Sequence, residues 1–107
     1  MGDLERDFER DMLADSKDYT QRTRTSPTRY LQMIGQHGGV ETARILALSV
    51  TESEGFTRAW EHQCLNLTAE HLMLYGKRGA YQSLFGEEAL KAARKRLKAY
   101  GVSTAII

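Results

Sequence analysis

His37, His62, His71 and the single cysteine Cys64 are the only soft or nitrogen ligands in the chain, so reactive chemistry would have to be built from them. Their spacing does not build it. His62 and Cys64 lie two residues apart, about 200° around a helix, whereas helical metal pairs come at i+3 or i+4. One cysteine allows neither an internal disulfide nor a thiolate cluster. A Cys64 nucleophile served by His71 would need the fold to bring the two together, and nothing in the pattern favours that over the commoner buried thiol. Glu70 beside His71 has the residue types of an acid–base pair, yet a first-turn glutamate is explained by the positive end of its helix. The Gly76-Lys77-Arg78-Gly79 loop lacks the length and the Lys-Ser/Thr ending of a P-loop. No catalytic residue, metal or cofactor is expected, and the chain is not expected to be an enzyme.

Charge is the stronger signal. Residues 1–20 carry seven carboxylates against three cations, a net of −4, and residues 77–98 carry seven cations against two carboxylates, a net of +5, although the whole chain is only +1. Such a dipolar chain can bind an anionic partner at one end, or dock its own acidic helix on its own basic one. Lys91, Lys95 and Lys98 fall at i, i+4 and i+7 beside Arg94, with Lys77 and Arg78 in the preceding loop. Clustered cations are what contact with a sugar-phosphate backbone requires, without particular geometry. The competing reading is a solvated face on which Glu87 pairs with Lys91 and the last cations complement the helix dipole.

The elements that position these residues are helices. Leu4, Phe8 and Met12 stand at successive i+4 steps in a charged segment from Asp3 to Gln21, an amphipathic surface helix expected to form an arm. The polar stretch Thr20–Ser26 reads as a linker. Ser26-Pro27 reads as an N-cap followed by proline in the first helical position, opening a helix that ends at Gly38-Gly39. Val40–Leu48 is apolar on more than one side and reads as buried. Phe56, Ala59, Trp60 and Cys64 fit a short fourth helix with Trp60 in the core. Thr68 is the expected cap of a fifth helix stopping at Gly76, and Gly86-Glu87-Glu88 opens the last one, with Gly101 past its end. The expectation is an all-α bundle of five or six short helices. Residues 1–25 would be an acidic arm, 26–101 the core domain and 102–107 an apolar tail. With no signal peptide and no segment near the roughly 20 apolar residues that span a bilayer, the protein is expected to be soluble and cytoplasmic, with no membrane partner.

Leu31–Leu48 can be laid on a helix-turn-helix template, with Gly35 at the crossing and Gly39 in the turn. The face then turned to DNA would be Glu41, Thr42, Ala43, Leu46 and Ala47, which offers almost no donors to base edges. Helix-hairpin packing is the preferred reading.

The ordered blocks Thr28-Arg29-Tyr30-Leu31-Gln32-Met33-Ile34, Gly38-Gly39-Val40-Glu41-Thr42-Ala43, Gly55-Phe56-Thr57-Arg58-Ala59-Trp60-Glu61 and Leu65-Asn66-Leu67-Thr68-Ala69-Glu70, followed by Leu84-Phe85 and the last helix to Tyr100-Gly101, resemble a small bacterial domain found alone or C-terminal to HNH-type endonucleases. The likeness covers residues 26–101. It implies a setting in mobile elements or defence systems and an accessory part in nucleic-acid or partner binding. The chain has no histidine-asparagine-histidine arrangement of its own, so nuclease activity is not carried over.

Two functions are expected from these features. The first is a binding module that uses Lys77, Arg78, Lys91, Arg94, Lys95 and Lys98 toward nucleic acid or an acidic protein. The alternative is an inhibitor or antitoxin-like module, of nucleases or CRISPR effectors included, that inserts Leu4, Phe8 and Met12 of its acidic helix into a partner. Self-association as a homo-oligomer stays open.

Overall fold

Six α-helices account for most of residues 2–102, which are those described by the computed structural model. They are α1 (Asp3–Thr23), α2 (Thr28–His37), α3 (Gly39–Leu48), α4 (Glu54–Glu61), α5 (Ala69–Tyr75) and α6 (Glu87–Ala99). A 3-10 turn at Leu65–Leu67 leads into α5, and a broken 3-10 segment at Gly76–Leu84 leads out of it. The all-α bundle expected from apolar spacing is therefore what forms, with no strand among the described residues. None of its helices is long and apolar enough to cross a membrane. Of the expected apolar tail only Val102 is described; its N–H bonds Leu97 O at 3.0 Å, and residues 103–107 lie outside the described part.

The N-terminal helix is not an arm. Phe8, Met12, Ser16, Tyr19 and Thr23 of α1 form one buried stripe at three- and four-residue steps, and Phe8 and Met12 are 0% exposed. Phe8 sits edge-on to Tyr81 and Phe85, with ring centroids 5.1 and 5.2 Å away. Burial of side chains of this size contributes roughly 1.5–3 kcal/mol each, which a detached helix would forgo. Polar contacts fix its register. Glu9 accepts the Gly39 N–H at 2.7 Å, capping α3 from another helix where α3 has no side-chain cap of its own. Asp7 pairs with Lys77, and Tyr81 donates to Asp11. The acidic helix thus docks on the chain's own basic loop, one of the two outcomes that its charge allowed.

Local signals hold at most ends. Thr68 Oγ1 accepts the His71 N–H at 3.3 Å, as expected of an N-cap, and Ser53 does the same for Phe56 at the start of α4. Gly38 (φ 83°) and Gly101 (φ 92°) take the positive φ at their helix ends. Helix α2 differs from expectation. It begins at Thr28, with Pro27 in the cap position and no side-chain cap, because the Thr28 N–H turns back to Ser26 O instead. Trp60 also departs from its expected core place and is 49% exposed, edge-on to Tyr100 at 5.5 Å. The short α4 buries only Phe56 and Ala59, so the following position points outward.

The helix-turn-helix template fails on orientation. Thr42, Ala43 and Ala47, which it turns toward DNA, are buried, as is Gly39 at the start of α3. Gly35, placed at the crossing, faces open space, and the close approach falls at Gly39, where an added Cβ would lie 2.9 Å from both Glu9 Cβ and Met12 Sδ. Gly39→Ala is expected to lower stability by about 1–3 kcal/mol through this overpacking. Gly35→Ala in open helix should raise it by about 0.5–1 kcal/mol, and thermal melts of the two variants read the contrast. Thr42 Oγ1 is buried without a hydrogen-bond partner among the described residues. Thr42→Val, which keeps the shape and removes the orphan hydroxyl, should raise stability by about 1 kcal/mol in the same assay.

Candidate functional site

The expected basic residues divide into engaged and free. Lys77 is held by Asp7 and stands 6.0 Å from the Tyr81 ring centroid. Arg94 Nη1 reaches Glu87 Oε1 at 3.2 Å, so Glu87 holds a partner two turns along the helix and not Lys91. Lys91, Lys95 and Lys98 are exposed and make no hydrogen bond or ion pair among the described residues. At 100° per residue they share an arc of about 60° on the outer side of α6. Arg78 is also exposed and unpaired, on a segment where Lys77, Arg78 and Gly79 are all left-handed, with φ of 51°, 56° and 87°. The structure therefore leaves four of the six expected cations available.

The apolar residues proposed to enter a partner are not available. Phe8 and Met12 are fully enclosed, and Leu4 is partly buried against the same core. What α1 shows to solvent is polar and acidic, with Leu13 as its one large exposed apolar side chain.

The reactive trio is dispersed. Cys64 is 0% exposed, and burial pushes its thiol up, away from thiolate, against a smaller downward pull from Arg22. His71 stacks on Tyr75 at 4.4 Å and lines an open depression of about 630 Å³ with Trp60 and Tyr100. Burial holds its imidazole below the ordinary value. Glu70, one residue earlier and so about 100° around the helix, faces a different cleft. Among the described residues, no group of three or more His, Cys, Asp or Glu is placed to hold a metal ion.

Sequence reasoning passed over the polar centre that does exist. Arg96, counted with the surface cations, is turned inward. Its Nη1 donates to Leu46 O at 2.7 Å and to Glu70 Oε2 at 3.2 Å, and its Nη2 donates to Ser49 O. Only 10% of its side chain and 5% of that of Glu70 are exposed. Burial raises the Glu70 carboxyl, opposed by its own backbone N–H and by Arg96. The available signal was positional, since Arg96 adjoins the inward Leu97 and lies away from the three lysines.

Beside this pair lies a cleft of about 570 Å³ between α2 and the start of α5, lined among others by Tyr30, Met33, Ile45, Leu46, Phe56 and Glu70. Tyr30 makes no hydrogen bond among the described residues. Its phenol is pushed well up, first by burial and then by the carboxylates of Glu70 and Asp15. Asp15 is itself half-buried and rises from 3.8 to about 6, through burial first and then Asp11 and Asp18.

A raised carboxyl stabilises the fold below its unfolded value of 3.8, and that contribution is lost as pH rises through about 6. Asp15→Asn is accordingly expected to stabilise at about pH 7.5 by roughly 1 kcal/mol, discounted for partial exposure, or about 5 °C in Tm. Melting both proteins across pH should show the difference vanishing near pH 4, by about the unfolded carboxyl value.

Compared with known protein families, curated proteins and solved structures, the chain matches none.

Proposed function

We propose that the chain is a non-catalytic binding module that contacts nucleic acid through the outer face of α6. The observation that carries this reading is the set of three exposed lysines, Lys91, Lys95 and Lys98, on one helix face without a carboxylate partner among the described residues. Acids that would neutralise such a face are occupied elsewhere: Glu87 holds Arg94, and Asp7 holds Lys77. Glu88, the other acid of α6, lies toward Arg44 of α3. Fixed unpaired cations displace condensed counterions from a phosphate backbone, and that release supplies affinity without base readout. The mode is sequence-independent, because a lysine stripe offers point charges and no bidentate geometry for base edges. The resemblance to a domain accompanying HNH-type endonucleases supplies the setting, an accessory role in a bacterial mobile element or defence system. An inhibitor acting through the acidic helix is less well supported, since its apolar anchors serve the core.

The triple variant Lys91→Glu, Lys95→Glu, Lys98→Glu tests the proposal by fluorescence anisotropy on duplex DNA. Three phosphate contacts at a slope of about −0.9 each predict about 40-fold weaker wild-type binding between 50 and 200 mM salt. The variant should lose at least tenfold in affinity at the lower salt and most of that slope. Unchanged affinity and slope would sink the reading.

A further inference from the structure

A second site, independent of the lysine face, stands where the ends of α4 and α6 meet the start of α5. Trp60 lies in the last turn of α4, Tyr100 caps α6 and His71 is the third residue of α5, and their three rings line one open depression of about 630 Å³. Volumes of about 300–1,000 Å³ are common for small-ligand pockets. Two of the rings are held from behind. Tyr100 stands edge-on to Phe56 at 5.1 Å and to Trp60 at 5.5 Å, with interplanar angles of 72° and 71°, and its hydroxyl donates to Glu52. His71 is stacked on Tyr75 at 4.4 Å. The indole of Trp60 meets Tyr100 at a corner and is 49% exposed, so much of its surface is open to a ligand.

The charge of the lining is one-sided. Glu61 lines the depression, is exposed, and makes no hydrogen bond or ion pair among the described residues. No lysine or arginine among the described residues lines it, and Arg22, which donates to the carbonyls of His62 and Gln63 at 3.4 Å, is not part of the lining. Burial holds the His71 imidazole below its ordinary value, so this ring is neutral at pH 7 and adds no positive charge. An anion would meet the Glu61 carboxylate and no cation. A positive group would meet the negative faces of aromatic rings and an uncompensated carboxylate. A primary ammonium is strongly hydrated and carries three donors, and so open a lining does not replace its water. A quaternary ammonium has no N–H to satisfy, and its methyl groups can pack directly on ring faces.

We propose that the corner formed by Trp60 and Tyr100 binds a quaternary ammonium group, its methyl groups packed on the two rings and its charge balanced by the Glu61 carboxylate. The rings distinguish the cation from a neutral group of the same shape, and Glu61 distinguishes it from an acid. Lys91, Lys95 and Lys98 take no part in the lining, so this site does not rest on the nucleic-acid reading.

Titration of the whole chain with choline at constant ionic strength tests this, read from backbone amide shifts and from the indole N–H of Trp60, the chain's one tryptophan. The expected result is a saturable shift with Kd of about 10 mM or tighter. The neutral carbon isostere 3,3-dimethylbutan-1-ol should bind about fivefold more weakly, the contribution of a cation on an exposed ring. Trp60→Leu, at an exposed position, should weaken choline about fivefold, and Trp60→Phe should restore part of the loss. Glu61→Gln should weaken choline about twofold and leave the isostere unchanged, with circular dichroism confirming the fold of each variant. Amide-capped trimethyl-lysine, titrated alongside, separates the two sources of the group: tighter binding than choline assigns a modified protein side chain, weaker binding a free small molecule. The triple lysine-to-glutamate variant should bind choline normally, so failure of the nucleic-acid reading leaves this one standing. Absence of a saturable shift, equal binding of the isostere, indifference to Trp60→Leu, or shifts at these residues with single-stranded DNA but not with choline would overturn it.

Discussion

The inward turn of one guanidinium, that of Arg96, organises half of the molecule. A helix leaves its last carbonyls without intrahelical partners, and α3 ends on Leu46–Ser49 with no cation of its own in the last turn. Arg96 reaches across from α6 to bond Leu46 O and Ser49 O, and the same group meets Glu70 at the start of α5. Three helices and the loop after α3 are thereby held at one point. Burying an ion pair is favourable only when its hydrogen-bonding capacity is met, and here the carbonyls of α3 meet it.

A second constraint divides the charge. Seven of the first twenty residues are acids, a density that would repel or unfold an isolated helix, yet α1 is ordered along its whole length. Each contact in which an α1 acid meets another element compensates a specific donor: Asp7 the Lys77 ammonium, Glu9 the Gly39 N–H, Asp11 the Tyr81 hydroxyl. The buried stripe from Phe8 to Thr23 supplies the energy, and the acids set the register. Because α1 draws on the Gly76–Leu84 segment and not on α6, the lysines of α6 keep their charge uncompensated.

The helices were legible in the sequence because they depend on local chemistry. Thr68, Gly38 and Gly101 mark ends through their own hydroxyl or positive φ, and the i+4 steps of Leu4, Phe8 and Met12 announced a helix. Which of these helices would be covered was not legible. A narrow stripe looks alike whether it faces solvent, a partner or its own core, and only the complementary surface, here Tyr81, Phe85 and Gly39, decides. The same limit misplaced Trp60, whose neighbours were correctly read as helical while α4 proved too short to enclose an indole. Of the site, the three free lysines could be read from periodicity. Arg96, Glu70 and Tyr30 could not, since their environment is made by four segments distant in the chain.

Stability is distributed unevenly by the same features. Helices α1, α3, α5 and α6 share the large enclosed residues, among them Phe8, Met12, Met73, Leu74 and Leu97. Helix α2 lacks a side-chain cap at either end, buries one residue, and is fastened chiefly to α3. Segments with few buried apolar contacts open at lower free energy than the whole fold. Helix α2 therefore opens more readily than the core formed by α1, α3, α5 and α6. The lysine face answers to different forces. It stands on the outer side of α6, a helix pinned through Leu90, Ala93 and Leu97, so its cations are presented from the rigid part of the molecule. Opening of α2 leaves that face undisturbed, because α6 is held chiefly by α3 and α5.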